Sequence, residues 1–139
     1  TYQLQIVILL SSLWLQIFEK MPKEKDIVSA DVKRDKQRVK AALQYMQENY
    51  QESLKLDDIA NAAYISRSEL CRGFQRTLQM TPMEFLMQYR IRQSTVLLKN
   101  MDLRILDIAE MTGFSSPSHF GSYFRKYMGC TPREYRKGC

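Results

Sequence analysis

The sequence predicts an all-α protein, and three observations carry that reading. Apolar residues recur at helical spacing from Arg38 onward. Three capping boxes mark helix starts, at Ser66-Arg67-Ser68-Glu69, Thr81-Pro82-Met83-Glu84 and Thr131-Pro132-Arg133-Glu134. Two stretches of the chain also repeat one another.

The first element is apolar. Residues 2–21 place Leu4, Val7, Ile8, Leu15 and Phe18 on one side of a helix, with Trp14 and Ile17 beside them. A membrane span needs about 20 mostly apolar residues, and Gln3, Gln5, Ser11, Ser12 and Gln16 interrupt this one. A signal peptide needs a basic start and a small-residue cleavage site, and neither is present. The remaining reading is a helix that buries a wide stripe against a partner, which implies a homodimer or a preceding domain. Residues 22–37 are charged and polar with one proline, a linker composition, with a solvated extra helix as the alternative. The chain opens at Thr1, which suggests a fragment of a longer protein.

From Arg38, Val39, Leu43, Met46 and Tyr50 repeat at helical spacing. A short helix follows over 56–63, with Ile59 and Ala60 inside. Tyr64-Ile65 makes a turn, and the box at Ser66 opens a helix over 66–78 with Leu70, Gly73, Phe74 and Leu78 as its core face. The box at Thr81 opens the longest helix, to about Leu98, with Phe85, Tyr89, Val96 and Leu97 expected on the inner side.

The stretch 104–136 then reads helix, turn, helix, turn, helix. Ile105, Ile108 and Ala109 share a face, and Gly113 permits a turn with positive φ. Ser116-Pro117 sets an N-cap followed by proline at the first helical position. Phe120, Phe124 and Tyr127 bury one face of the next helix, while Ser118, Ser122, Arg125 and Lys126 line the other.

The repeat aligns these two stretches. Ile59-Ala60 matches Ile108-Ala109, and Ile65 matches Phe114. After one extra residue, Ser66 matches Ser116, Leu70 matches Phe120, Phe74 matches Phe124 and Thr81-Pro82 matches Thr131-Pro132. Each copy is a helix-turn-helix, a shape that fits a DNA major groove. The long helix between them spans about 27 Å at 1.5 Å per residue, near the ~34 Å between successive major-groove faces.

Charge points the same way without deciding it. The net charge is +6. Residues 1–36 carry six Lys/Arg against five Asp/Glu, and residues 37–139 carry fifteen against ten. Such an excess suits nucleic acid or an acidic membrane surface. Cys71, Cys130 and Cys139 are an odd, widely spaced set that fits no disulfide framework. With a single His119 there is no zinc-ligand pattern. A reducing cytoplasm is the simplest compartment, and no metal or cofactor is expected.

Residues 38–137 resemble the DNA-binding domain of AraC/XylS-type bacterial transcription regulators. The resemblance rests on Ile108-Ala109, Gly113-Phe114, Phe120, Phe124-Arg125-Lys126, Gly129, Thr131-Pro132 and Tyr135-Arg136, with Ile59-Ala60, Ser66, Leu70, Phe74 and Thr81-Pro82 in the first copy. It implies a seven-helix domain with two helix-turn-helix units joined by a long central helix. It also implies that residues 1–36 are the tail of an effector or dimerisation domain. Two positions depart from the pattern. Tyr64 stands where the family often has Gly, which strains the first turn. Lys55 stands where an N-cap Ser or Thr is usual, which frays the helix after it.

The resemblance also implies that bases are read from the early exposed positions of the third and sixth helices. Here those are Arg67, Ser68, Cys71 and Arg72, then Ser118, His119, Gly121 and Ser122. Arg72 is the strongest candidate, because a guanidinium pairs bidentately with guanine; a phosphate contact is its alternative. Ser68 and Ser118 suit bases, phosphates or capping. Cys71 suits a thymine methyl, a redox role or simple packing, and His119 a phosphate, a base edge or no contact. Gln75, Arg76, Arg125 and Lys126 are placed for phosphates, as are the helix starts at Ser66 and Ser116.

The function expected is therefore a sequence-specific DNA-binding transcription regulator. Its partners are double-stranded DNA, a second copy of the chain through the N-terminal helix, and RNA polymerase if it activates. A DNA-repair methyltransferase that carries such a domain would need a cysteine cluster, and these cysteines are scattered. No catalytic constellation is evident, so no enzyme activity is expected. A membrane-surface module would rest on the apolar N-terminal helix alone.

Overall fold

The structure, a computed structural model, describes residues 30–139. Over that span the regular structure is all helical, in seven helices: α1 Ala30–Asn49, α2 Leu56–Ala62, α3 Arg67–Leu78, α4 Pro82–Leu98, α5 Ile105–Met111, α6 Pro117–Met128 and α7 Pro132–Arg136. The expected apolar helix at 2–21, with Leu4, Val7, Ile8, Leu15 and Phe18, lies outside the described residues, as does the linker as far as residue 29. None of the described helices is long and apolar enough to cross a membrane.

One correction comes at the start. Linker composition was expected through residue 37, but α1 begins at Ala30. The reason is that its charged residues have partners on another helix. Asp35 pairs with Arg76 at 2.9 Å and Arg38 with Glu69 at 2.7 Å. Lys, Arg and Gln are good helix formers in any case, so a charged run with partners folds as helix.

The described chain divides into two compact units. The first holds residues 30–49 and Leu54–Phe85, so α1, α2, α3 and the start of α4. Val39, Ala42, Leu43 and Met46 of α1 are buried with Ile59, Ala60, Leu70, Phe74 and Leu78. Gly73 matters here, because a Cβ on it would sit 3.2 Å from a Val39 methyl, so α1 and α3 approach closely. Phe74 meets Phe85 edge-on, with centroids 6.4 Å apart.

The second unit holds Tyr50–Ser53 and Leu86–Cys139. Its core is Leu86, Ile91, Leu98, Ile108, Ala109, Phe114, Phe120, Phe124 and Met128. Arg90 is inside it, only 4% exposed. Its Nε donates to the Tyr50 carbonyl at 2.8 Å and one terminal nitrogen to the Glu52 carbonyl at 2.7 Å. Burial lowers its pKa from the usual guanidinium value. Arg136 of α7 similarly donates to the Leu98 and Asn100 carbonyls, at 3.0 and 3.2 Å, where α4 ends.

A second correction concerns α4. Val96 was expected inside and is 63% exposed. Phe85 belongs to the core of the first unit, so it is the wrong origin for the rest of the helix. Beyond it the buried residues are Leu86, Met87, Arg90, Ile91, Ser94, Thr95 and Leu98, and Val96 lies off that face.

Candidate nucleic-acid interface

Each helix-turn-helix is built from the same local parts. In the first turn, the amide of Ile65 bonds the Ala60 carbonyl at 3.1 Å and that of Tyr64 bonds Asn61 at 3.1 Å. In the second, Phe114 bonds Ala109 at 3.0 Å and Gly113 bonds Glu110 at 3.1 Å. These reversed bonds close the preceding helix and require a left-handed residue. That residue is Tyr64, φ 58°, in one copy and Gly113, φ 86°, in the other. The strain expected at Tyr64 is therefore present. At Lys55 no side chain caps α2, but the Asp58 carboxylate accepts from the Lys55 amide at 2.9 Å. Asp57 and Asp58 also complement the helix dipole in its first turn. The equivalent Arg104 grips Asp107 with two bonds, at 2.9 and 3.0 Å, which holds the Asp107 carboxyl below its usual range.

The helix after each turn is N-capped by serine. Ser66 Oγ accepts from the Glu69 amide at 3.1 Å, and Ser116 Oγ from the His119 amide at 3.0 Å. The full reciprocal box forms at Thr131, where Glu134 Oε1 also accepts from the Thr131 amide at 3.1 Å. It forms at Thr81 with Glu84 as well. At Ser66 the Glu69 carboxylate instead accepts from the Ser66 hydroxyl and pairs with Arg38.

On α3 the outer, exposed stripe is Ser68, Arg72, Gln75 and Arg76. Cys71 is half-buried on its flank. Two of the three arginines already hold partners: Arg67 pairs with Asp57 of α2 at 3.1 Å, and Arg76 with Asp35 of α1. Among the described residues Arg72 has no hydrogen bond or ion pair. It is the guanidinium of this face whose fork of donors is uncommitted.

On α6 the equivalent stripe is Ser118, Ser122, Arg125 and Lys126, all exposed. Arg125 and Lys126 fall in the last turn, where cations complement the helix dipole. Gly121 stands where α3 has Cys71, with open space where a Cβ would be. His119 is half-buried on the flank, 4.9 Å from the Tyr123 ring and 5.8 Å from Phe114, with Nδ1 3.3 Å from Ser115 Oγ. Lys126 Nζ lies 5.4 Å from the Tyr127 ring centre and 5.8 Å from that of Tyr123.

The fold thus gathers Ser66, Arg67, Ser68, Cys71, Arg72, Gln75 and Arg76 on α3 or its cap, and Ser116, Ser118, His119, Ser122, Arg125 and Lys126 on α6 or its cap. Sequence reasoning missed Arg34, Asp35 and Arg38. They line a cleft of about 150 Å³ together with Glu69, Arg72 and Arg76. The available signal was their spacing, three and four residues apart on one helical face. Among the described residues no group of His, Cys, Asp or Glu is arranged to hold a metal ion.

Fold and paired outer faces define a double helix-turn-helix DNA-binding domain. A helix-turn-helix domain family matches residues 59–138. The uncharacterized HTH-type transcriptional regulator YdeC of Bacillus subtilis is 40% identical over 100 residues, which is 72% of this chain and 34% of the relative. The melibiose operon regulatory protein of Escherichia coli is 37% identical over 99 residues, 71% of this chain and 33% of the relative. Among solved structures, an AraC-type transcriptional regulator from Chromobacterium violaceum superposes with a TM-score of 0.67 at 34% identity, covering 72% of this chain and 89% of that one. The DNA-binding domain of the global transcriptional factor AdpA, solved with a target DNA, gives 0.68 at 27% identity, covering 72% and 90%. The chain belongs to the AraC-type helix-turn-helix family. It spans about a third of the length of the curated relatives it matches.

Proposed function

We propose that this chain is the DNA-binding part of a sequence-specific transcription regulator, with α3 and α6 entering adjacent major-groove segments. The observation that carries the reading is the equivalence of the two outer faces. Both helices are serine-capped and follow a left-handed turn, and both present an exposed polar and cationic stripe. Arg72 with Ser68 reads bases from α3, with Arg67 and Cys71 beside them. Ser118, His119 and Ser122 are the corresponding residues near the start of α6. Gln75, Arg76, Arg125 and Lys126 hold phosphates, as do the capped helix starts at Ser66 and Ser116. The side chains of α6 near its start are short, so α6 contributes more to position than to base discrimination.

The same reading extends to the remaining parts. Residues 1–21 pair two copies through Leu4, Val7, Ile8, Leu15 and Phe18, and the described helices, from α1 at Ala30 through residue 137, form the DNA-binding domain. The protein works in the cytoplasm, without cofactor or catalysis, and meets RNA polymerase if it activates.

Selection of bound duplexes from a random-sequence pool at about 0.15 M salt tests this. Enrichment of a site of roughly two helical turns is expected. Binding that follows salt and enriches no sequence would overturn the reading.

A further inference from the structure

α1 touches α3 at two charged points. Arg38 Nη1 reaches Glu69 Oε2 at 2.7 Å, and Arg76 Nη1 donates to Asp35 Oδ2 at 2.9 Å. Arg34 and Arg72 complete the cleft around them. The second pair is lopsided. The Asp35 side chain is only 11% exposed, whereas that of Arg76 is 61% exposed. The carboxylate is fixed in the fold, and the guanidinium is free to turn toward solvent. Only one of its nitrogens is committed to Asp35, whereas a phosphate takes two parallel bonds from the guanidinium fork. Arg76 also lies on the exposed stripe with Arg72 and Gln75.

We propose that Asp35 sets the grip of this chain on DNA by competing with backbone phosphate for Arg76; the inference rests on the DNA-binding reading above. In the free protein Asp35 neutralises one cation of the interface. On DNA that cation passes to a phosphate, and the first turns of α1 lose a tie to α3. The coupling is reciprocal. Whatever fixes α1 around Asp35 weakens the hold on DNA, and DNA loosens α1 there.

The test measures binding of the whole chain to a mixed-sequence duplex over a range of salt, for wild type, Asp35→Asn, Arg76→Ala and the double variant. Asp35→Asn is expected to bind roughly two- to five-fold tighter, the order of magnitude of a surface ion pair whose guanidinium is exposed. Arg76→Ala binds more weakly, with a salt slope shallower by about one. The double variant is no tighter than Arg76→Ala. A folded Asp35→Asn that binds no tighter overturns the proposal, and so does a gain that persists without Arg76.

Should Asp35→Asn fail to fold, amide hydrogen exchange of the wild type decides. Residues 33–38 exchange faster in the duplex complex than free, and equal or slower exchange there overturns the proposal. A wild type that binds no duplex sinks the DNA reading and this inference together. Duplex binding with an unchanged Asp35→Asn sinks the role of Asp35 alone.

Discussion

Tyr64 and Gly113 hold equivalent places in the two turns, and both have positive φ. Their surroundings are opposite. Tyr64 is 94% exposed, so its side chain meets nothing and only the backbone is strained, by about 1–2 kcal/mol. A Cβ on Gly113 would strike the Tyr50 carbonyl and come within 2.9 Å of Arg90 Nε. A side chain and a glycine are paired again where the next helices end, with Gln79 at φ 57° in one unit and Gly129 at φ 79° in the other, both exposed. A shared turn geometry therefore does not fix the residue. Between Tyr64 and Gly113 the difference is whether the turn faces solvent or leans on the backbone of a neighbouring connection.

The proposed recognition faces differ as well. Arg72 in the first unit corresponds to Ser122 in the second, and Cys71 to Gly121. The first face carries reach, and the second carries short side chains ahead of its cations.

Four substitutions sharpen this contrast, in order of expected effect. Gly113→Ala adds strain and a clash at once and is expected to cost about 3 kcal/mol or more in urea unfolding. A cost under about 1 kcal/mol would mean that the second turn is as tolerant as the first. Arg90→Met strips the donors from the Tyr50 and Glu52 carbonyls and is expected to cost about 2–3 kcal/mol by the same measurement. Thr131→Ala removes a formed capping box and costs about 1 kcal/mol in melting experiments. Tyr64→Gly relieves the left-handed strain but frees the unfolded chain. Its net change is toward stability and under about 1 kcal/mol, and a clear loss would assign the exposed ring a packing role.

Much of the fold was legible because its signals are local. Capping boxes and serine caps located the starts of α3, α4, α6 and α7, and the repeat aligned both units. The departure at Tyr64 was legible for the same reason, since turn chemistry is written in a few residues. The start of α1 was not. A charged run reads as linker until Arg76 and Glu69, more than thirty residues away, are seen to pair with it. Val96 was misplaced because the buried positions of α4 beyond Phe85 follow a different face. The burial of Arg90 was hidden too, as its acceptors are backbone carbonyls about forty residues upstream, which no side-chain pattern records. At the interface, sequence identified the outer faces but not which arginines are already engaged.

The most direct test of the contrast between the two faces is parallel selection of duplexes by the wild type, Arg72→Ala and Ser122→Ala. Arg72→Ala is expected to lose preference at one or two base pairs, worth about 1–3 kcal/mol, while keeping general affinity. Ser122→Ala should leave the selected site nearly unchanged. Equal losses of preference from both variants, or a change in salt slope alone from Arg72→Ala, would contradict that contrast.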